Sequence, residues 1–254
     1  MVPSPWFPPM TQLRRFFAPP GQWSGETVVL DPEETHHLSR VLRLKIGARV
    51  AVVNGQGRAG LARVQALSPQ GAVLYLEEEL PHPAESPLKV VLGVGLAKGE
   101  TMDLVVRQAT EMGVHCLFPF ISAYSEKPEP ERAARRLARW RRHAREALKS
   151  CQRLFLPEIL PVQDFTAALS GPEETKLMFY EAERGGGLAA LLGGVRPRSV
   201  RLLLGPEGGF TSEEVVRARE AGFQLASLGP RRLRVETAAL AAMALVQYAW
   251  GDLA

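Results

Sequence analysis

The stretch 202–215, LLLGPEGGFTSEEV, contains the residue types of a ligand-binding loop placed between a strand and a helix. Apolar residues are followed by a glycine-rich turn, and a helix is expected to begin directly after the turn. The spacing matches neither GxxxxGK(S/T) nor GxGxxG, the glycine-rich motifs that bind nucleotide phosphates, and the stretch has no lysine. A nucleoside triphosphate is therefore not the expected ligand.

Charge and helix capping in this stretch favour a cationic ligand instead. Thr211 precedes Glu214 by three residues, the spacing of a capping box, and such a box uses backbone N–H groups that a phosphate would need. Glu213 and Glu214 place negative charge at the start of the helix, and Glu207 adds a carboxylate in the turn. Together these carboxylates would repel a pyrophosphate.

The glycines of the stretch allow close approach of a ligand to the main chain. Gly205, Gly208 and Gly209 let a flat molecule lie against bare backbone, and Pro206 stiffens the approach. A neutral heterocycle joined to a positive charge would suit such a site. S-adenosylmethionine is a molecule of this kind, because it has adenine and ribose, no phosphate and a sulfonium cation. The alternative is a tight turn before a well-capped helix, with no ligand.

A second loop of similar character lies in 227–243, SLGPRRLRVETAALAAM. Gly229 and Pro230 predict a turn, three arginines follow, and a helix is expected to begin near Glu236. The helix is rich in alanine, and small side chains let backbones approach closely. It is therefore expected to pack tightly against another helix or a partner subunit, the alternative being an ordinary buried helix.

Hydrophobic periodicity divides the chain into two regions. From Phe16 to Leu80, short alternating runs predict a small β-barrel, with NGQG at 54–57 as a hairpin turn and one helical piece, PEETHHLSRVLRL. Three prolines in 80–87 predict a linker. From Leu88 onward strands and helices alternate, which predicts a parallel sheet with helices on both faces. By pattern alone this second region is Rossmann-like, because knotted chains are rare.

Composition narrows the class of protein. The chain has 254 residues, 46% of them hydrophobic and 23% charged, and no apolar run approaches the roughly 18–20 residues of a membrane span. No membrane association is expected. Cys116 and Cys151 are far apart, which argues against a disulfide framework or a zinc site and suits a reducing, cytoplasmic environment. Residues 1–9 contain four prolines and are expected to be a disordered extension.

Basic residues are concentrated in one segment. Lysine and arginine exceed aspartate and glutamate by only 31 to 27, yet eight arginines lie between Arg132 and Arg153. This density favours nucleic-acid binding more strongly than the net charge of +4 does. The alternative is a solvated helix face with Glu131 and Glu146 as partners.

Taken together, LLLGPEGGFTSEE and LGPRRLRVETAAL closely resemble the two signature motifs of the RsmE family, which are 16S ribosomal RNA (uracil-N3)-methyltransferases of the SPOUT superfamily. The similarity covers nearly the whole chain. RRFF (14–17) and HHLSRVLRLKIG resemble the family's N-terminal PUA-like domain, and KGETMDLVVRQATEMGVHCLFPF resembles its first helix and second strand. Two departures affect the expected RNA contacts: SEKP (125–128) replaces a glutamate-arginine-serine stretch, and Ser150 replaces a glutamine.

The resemblance implies an α/β fold with two domains and a cofactor. Residues 1–82 would form a PUA-like RNA-binding β-barrel, and residues 83–254 a SPOUT methyltransferase domain whose C-terminal segment threads a loop to form a trefoil knot. The knot would be the cofactor pocket, and a second subunit would complete it in a homodimer. The residues expected to bind S-adenosylmethionine are Tyr180, Glu181, Leu204, Gly205, Pro206, Glu207, Gly208, Gly209, Ser227, Leu228, Gly229, Leu233, Thr237 and Ala238.

The implied macromolecular partner is 16S ribosomal RNA of the small subunit. His36, Arg40 and Arg43 recur at helical spacing, so they share a basic face that would meet RNA phosphates. The adjacent histidines do not predict a metal site, because they point in different directions and no cysteine or carboxylate completes a ligand set. No metal is expected. The residues expected to bind RNA are Arg14, Arg15, His36, Arg40, Arg43, Arg135, Arg139, Arg142 and Arg153.

Methylation at uracil N3 would need help with a proton. N3 carries a proton and is a poor nucleophile at neutral pH, so negative charge must be stabilised as it spreads onto O2 and O4. Arg234 is the candidate for this role, with a phosphate contact as the alternative. Glu236 would take the proton or orient Arg234. Two other functions remain open: a SPOUT methyltransferase acting on transfer RNA or on a ribose 2′-hydroxyl, and a non-catalytic RNA-binding or ribosome-assembly protein.

Overall fold

The computed structural model divides into two compact units. It describes residues 13–68, 70–80, 85–183 and 188–253, so the extension expected at 1–9 and part of the expected linker lie outside the described residues. The first unit contains the chain up to Glu85 together with Leu148–Leu156, and the second contains the remainder. The sequence analysis placed Leu148–Leu156 in the second domain.

The first unit is built on a six-stranded sheet with the order β1-β4-β5-β6-β3-β2. The strands are β1 (Arg15–Phe17), β2 (Trp23–Ser24), β3 (Thr27–Leu30), β4 (Arg49–Val53), β5 (Ala59–Ser68) and β6 (Gly71–Glu79). β1 pairs with β4 in parallel, and the other neighbours are antiparallel. In β3, Val28 and Leu30 are buried, whereas Val29 between them is exposed. The alternation seen in the sequence therefore places one face of the strand against the core.

One helical segment covers this sheet. The helix α1 (Pro32–His36) begins at Asp31, whose carboxylate accepts a hydrogen bond from Glu34 N–H at 2.8 Å. A π-helical turn, His37–Val41, continues it and buries Leu38 in the core of the unit. The predicted helical piece therefore exists and ends at Val41.

A buried ion pair explains why the segment Leu148–Leu156 belongs to the first unit. Lys149 Nζ lies 2.6 Å from Glu34 Oε1, and both side chains are almost fully buried. Phe17 N–H donates to the other carboxylate oxygen of Glu34. A buried charge is tolerated only when it is paired, so these contacts must form together. Leu148 and Leu154 add apolar contacts to the same cluster as Phe17.

The second unit is a parallel sheet with the order β10-β8-β7-β12-β11-β13, with β9 also paired to β8. The strands are β7 (Lys89–Gly95), β8 (Cys116–Ile121), β9 (Glu158–Ile159), β10 (Gln163–Asp164), β11 (Thr175–Phe179), β12 (Ser199–Leu204) and β13 (Gln224–Ala226). Among the described residues, every strand pairing in this sheet is parallel, which confirms the fold class predicted for the region.

Helices pack on this sheet as the strand–helix alternation predicts. They are α2 (Thr101–Glu111), α3 (Pro130–Cys151), α4 (Phe165–Leu169), α5 (Leu188–Leu192), α6 (Ser212–Glu220) and α7 (Val235–Trp250). Residues of α4 and α6 share one apolar cluster with Met178 and Leu203 of the sheet. α7 packs against α2 and also contacts β12. The threading of the chain through a knot stays a prediction.

A buried arginine joins the sheet to the chain that precedes β11. Arg201 of β12 pairs with Glu173 at 2.7 Å, and each side chain is only 9% exposed. The guanidinium also donates to the carbonyl of Ala168 and lies over the ring of Phe118 at 5.1 Å. Charge, hydrogen bonds and ring contact together satisfy the guanidinium, so this arginine has a structural role inside the fold.

Candidate active site

A cavity of about 430 Å³ lies where neighbouring parallel strands of the second unit end. Phe179 of β11 is in register with Leu204 of β12 and with Ala226 of β13, so the carboxyl ends of these strands lie side by side. The segments that follow the strands therefore converge. The lining residues are Thr101, Phe179, Tyr180, Glu181, Leu204, Gly205, Pro206, Glu207, Gly209, Phe210, Ser227, Leu228, Gly229, Arg231, Arg232, Leu233, Arg234, Val235, Glu236 and Ala238.

The loop after β12 presents bare backbone to a carboxylate. Gly209 has φ +74°, and its N–H donates to the carbonyl of Pro206 at 2.9 Å, which closes a turn. A Cβ atom at Gly209 would lie only 2.9 Å from Glu181 Oε1. The positive φ favours glycine, and a Cβ atom there would displace the Glu181 carboxylate. The turn and the Glu181 carboxylate thus form one continuous wall.

The capping box predicted at the start of α6 is confirmed. Glu214 N–H donates to Thr211 Oγ1 at 3.2 Å, and Thr211 N–H donates to Glu214 Oε2 at 2.9 Å. Glu214 is buried, and its second oxygen accepts a hydrogen bond from Ala123 N–H at 2.9 Å. This carboxylate therefore holds the loop after β8 against the start of α6. It also occupies N–H groups that a phosphate would otherwise bind.

Glu207 is held by the segment that follows β7. Its Oε1 accepts a hydrogen bond from Lys98 N–H at 3.0 Å. Because Lys98 is close in sequence to Thr101, the start of α2 comes to the cavity with it, and Thr101 lines the wall. No local pattern indicated Thr101 as a lining residue, because its position depends on a contact between distant segments.

The loop after β13 supplies the cationic part of the wall. Arg231, Arg232 and Arg234 are exposed, and within the part of the chain that the structure describes no ion pair neutralises them. Arg234 is the N-cap residue of α7, and Glu236 lies in the first turn of the same helix. The cavity thus brings both candidate catalytic residues into one wall, together with two arginines that the sequence analysis quoted but did not assign.

Two of the residues expected to bind a cofactor do not line the cavity. Gly208 faces Tyr124, because a Cβ atom there would lie 2.7 Å from Tyr124 Cβ. Thr237 lies on the exposed side of α7. The other expected cofactor residues are in the wall. Phe179, Phe210 and Val235 also line it, and each is the sequence neighbour of a residue that the motifs had indicated.

Three of the expected RNA-binding residues of the first unit meet at a second cavity. His36, Arg40 and Arg43 line a space of about 570 Å³ in the first unit, together with Lys45. Arg43 has φ +54°, a left-handed conformation that is uncommon for arginine and that turns the chain at the end of the helical segment. The prediction of one helical face is wrong for Arg43, because the helical segment ends at Val41 and Arg43 reaches the same cavity from the turn that follows it.

Arg14, Arg15 and Arg153 have different surroundings. Arg14 is exposed. Burial lowers the pKa of the Arg15 guanidinium, which donates to the carbonyl of Arg153 at 3.3 Å. Arg153 itself pairs with Glu85 at 2.9 Å. The structure therefore gives Arg15 and Arg153 structural contacts, while Arg14 remains at the surface.

Among the arginines of α3, some charges are paired and some are not. Arg139 pairs with the buried carboxylate of Asp103 at 3.0 Å, and Arg135 lies 3.8 Å from Glu131. Burial and the neighbouring Arg132 lower the pKa of Arg136. Arg142 is exposed. The helix thus has exposed arginines. It also has ion pairs between arginines and carboxylates, as expected for the alternative of a solvated helix face.

Other kinds of site find no support in the described residues. Those residues contain no cluster of three or more histidine, cysteine or carboxylate side chains that could hold a metal ion. Burial raises the pKa of the Cys116 thiol to about 11, so this group is protonated at neutral pH and is a poor nucleophile. Across the same described residues, no helix has the length and apolarity needed to cross a membrane.

Comparison with known proteins decides the family. Residues 84–247 match the model of an RNA methyltransferase domain, and residues 30–74 match that of an RNA methyltransferase PUA domain. A ribosomal RNA small subunit methyltransferase E from Synechocystis is 33% identical over 91% of this chain and 76% of the relative. The chain belongs to the RsmE family of RNA methyltransferases. The resemblance carried by the two glycine motifs is thereby confirmed.

Other RsmE proteins agree over nearly the full length. The protein of that name from Bacillus subtilis is 29% identical over 87% of this chain and 90% of its own. The crystal structure of ribosomal RNA small subunit methyltransferase E from Neisseria gonorrhoeae bound to S-adenosyl methionine has a TM-score of 0.86 and 34% identity. It covers 95% of this chain and 100% of that one.

Proposed function

We propose that this protein transfers the methyl group of S-adenosylmethionine to N3 of a uridine in the 16S ribosomal RNA of the small subunit. The observation that carries the proposal is the cavity at the ends of β11, β12 and β13, where bare backbone, carboxylates and free arginines meet in a chain of the RsmE family. The relative from Neisseria gonorrhoeae binds S-adenosyl methionine. A protein acting on ribosomal RNA would work in the cytoplasm.

The residues in the wall suit a phosphate-free, positively charged cofactor. Glu181 and Glu207 bring negative charge beside the turn that ends at Gly209, and no lysine lines the cavity among the described residues. The cleft beside Gly209 is one that a Cβ atom would fill. S-adenosylmethionine supplies the methyl group when bound. The chain's own contribution is to hold its adenosine against the loops after β12 and β13 and to align the donor with the acceptor nitrogen.

The arginines suit the other reactant. Arg231, Arg232 and Arg234 follow one another on the loop after β13, and ribonucleic acid carries one negative charge per phosphate. A cofactor that carries a cation and an RNA that carries anions need opposite surroundings. The wall provides both, with carboxylates on the segments after β11 and β12 and arginines on the segment after β13.

Arg234 and Glu236 are the residues proposed to act on the uracil. When N3 loses its proton, negative charge spreads onto O2 and O4, and a fixed guanidinium at Arg234 would stabilise those planar oxygens. Glu236, in the first turn of α7, would accept the N3 proton or hold Arg234 in place. As the proton leaves N3, the methyl carbon would exchange its bond to sulfur for a bond to nitrogen, so the uracil ring is neutral before and after the reaction.

The N-terminal unit is proposed to position the RNA. His36, Arg40, Arg43 and Lys45 gather at one cavity and would contact phosphates, which place the substrate without reading its sequence. Arg14 is exposed on the same unit and is proposed to contact RNA there. Arg135 and Arg142 of α3 are proposed to contact RNA from the second unit, whereas Arg15, Arg139 and Arg153 have protein partners in the fold.

A homodimer is proposed from an uncovered apolar stripe on α7. Leu240, Leu245 and Tyr248 are 36%, 37% and 65% exposed, and their spacing places them on one side of the helix with Ala241 and Ala244. An exposed apolar stripe on an otherwise buried helix would be covered if it packed against the same stripe of a second copy of the protein. Because Arg234 is the N-cap residue of α7 and lines the cavity, such an interface would be carried by the same helix that borders the cavity.

The proposed activity is tested by mapping the product. Purified protein is incubated with methyl-labelled S-adenosylmethionine and with small subunits or 16S ribosomal RNA from cells that lack the enzyme. The expected product is one 3-methyluridine, located by nuclease digestion and mass spectrometry. Label in transfer RNA or on a ribose 2′-oxygen would contradict the proposed target, and failure to bind S-adenosylmethionine in calorimetry would favour a non-catalytic RNA-binding protein.

Arg234→Ala is expected to affect chemistry more than cofactor binding. Removing one group that stabilises a developing anion should lower kcat by about 100- to 1000-fold. The affinity for S-adenosylmethionine, measured by calorimetry, should change by less than about threefold, because ground-state binding of the cofactor does not use this charge. Arg234→Lys keeps the charge but not the planar guanidinium, so its kcat should lie between that of Arg234→Ala and that of the unmodified protein. Equal loss of rate and cofactor affinity would show that Arg234 only builds the pocket.

Removal of Arg40 and Arg43 should weaken RNA binding and flatten its dependence on salt. Each lost phosphate contact should reduce the slope of log affinity against log salt by about one. Filter binding at several salt concentrations measures this slope. Arg49→Ala is a matched control, because Arg49 is already paired with Glu77 at 2.9 Å in the same unit. An unchanged slope in the double variant would remove these residues from the RNA-binding surface.

Tyr248→Asp should dissociate the proposed dimer, because it places a charge in the centre of an apolar contact. Light scattering on a sizing column should give twice the 27.8 kDa of the chain for the unmodified protein and a lower mass for the variant. Val216→Asp, at an exposed apolar position on α6, is the control and should leave the mass unchanged. A monomeric unmodified protein would contradict the proposal.

A further inference from the structure

Tyr124 places an exposed aromatic ring at the edge of the cavity wall. It follows β8, and its Cβ atom packs on Gly208. Glu207 and Gly209, on either side of this glycine, both line the cavity. Tyr124 is nevertheless 59% exposed, and its hydroxyl has no hydrogen-bond partner among the described residues. The Cβ end of the side chain therefore packs against Gly208, whereas the ring is exposed to solvent.

The loop that carries Tyr124 is fixed by hydrogen bonds on both sides of it. Ala123 N–H donates to the buried carboxylate of Glu214 at 2.9 Å, and Ser125 N–H donates to the carbonyl of Ser122 at 2.9 Å. Ser122 is itself buried. An aromatic side chain on a fixed loop loses little conformational freedom when it binds a partner, because it has only two side-chain torsions.

The proposed reaction creates a need for such a ring. Uracil N3 lies on the Watson–Crick edge, so the base must leave its stack and its pairing before the nitrogen can reach a methyl donor. Enzymes that act on extruded bases offset the lost stacking with aromatic or apolar side chains. Within the lining of the cavity the aromatic residues are Phe179, Tyr180 and Phe210, and Phe179 and Phe210 are buried. Tyr180 is half-buried, whereas Tyr124, at the edge of the wall, is exposed.

We propose that Tyr124 stacks on a nucleobase of the RNA segment that enters the cavity. This inference rests on the proposed function, because it assigns a substrate-binding residue to the same site. Tyr124 is a positioning residue: it holds the RNA while Arg234 and Glu236 act on the uracil. Lys98 is close by, because its backbone N–H donates to the Glu207 carboxylate. Its side chain is an exposed cation that suits the phosphate of a neighbouring nucleotide.

The test is a series of substitutions that separates the ring from its packing. Tyr124→Phe keeps the aromatic face, whereas Tyr124→Leu keeps the contact with Gly208 but has no face for stacking. We expect Tyr124→Phe to methylate RNA like the unmodified protein. Tyr124→Leu should lower kcat/KM for RNA by about 5- to 100-fold, mainly through KM, which is the usual effect of losing one base–aromatic stack. Affinity for S-adenosylmethionine and the melting temperature should stay the same in both variants.

Three outcomes would overturn the inference while leaving the proposed function intact. The first is normal RNA kinetics in Tyr124→Leu. The second is equal damage in Tyr124→Phe and Tyr124→Leu, which would assign the effect to the hydroxyl. The third is a parallel loss of cofactor affinity, which would show that Tyr124 only supports the glycine loop through Gly208. If the unmodified protein methylates no RNA, the proposed function itself has failed, and the inference fails with it.

Discussion

The architecture of the second unit depends on one close approach between main chains. A Cβ atom at Gly95, the last residue of β7, would collide with the backbone nitrogen of Pro206, so the turn after β12 lies directly on the end of β7. Any side chain there would push the turn away from the sheet. Because β12 pairs in register with both β7 and β11, such a displacement would separate the turn from Glu181 at the end of β11 as well. The cavity wall therefore depends on the close contact between Gly95 and Pro206.

One buried carboxylate extends this constraint to the surrounding loops. Glu214 caps its own helix through Thr211 and at the same time accepts a hydrogen bond from Ala123 N–H. A single residue thereby fixes the glycine loop, the first turn of α6 and the loop that carries Tyr124. Since a buried carboxylate must have its hydrogen bonds satisfied, these three segments are ordered together. The site is thus preorganised before any ligand enters, which is what alignment of a methyl donor and an acceptor requires.

Charge in the cavity follows from the order of the strands. The carboxylates Glu181 and Glu207 come from segments after β11 and β12, and the arginines come from the segment after β13. In the sequence the last arginine is more than twenty residues from Glu207. The pairing of β11 with both β12 and β13 brings them to one wall. The proposed division of labour, a cationic cofactor near the carboxylates and RNA near the arginines, depends on this pairing.

The sequence by itself determined the parts of the site. The strand–loop–helix order around 202–215 and the capping box at Thr211 follow from signals that act within one or two helical turns. The shared helical face predicted for His36, Arg40 and Arg43 does not, because Arg43 lies beyond the end of the helical segment. The resemblance of the two glycine motifs then indicated the family, which the comparisons confirm. Local patterns were sufficient here because capping, periodicity and turn chemistry are short-range effects.

Only the tertiary structure decided which parts meet. It brought Thr101 into the wall, turned Gly208 toward Tyr124 and joined Leu148–Leu156 to the first unit through the Lys149–Glu34 pair. It also contains short elements, such as β9, β10 and α4, that periodicity did not predict. These contacts link residues far apart in the chain. They depend on which strands pair and on which buried charges find partners, and no short stretch of sequence contains that information.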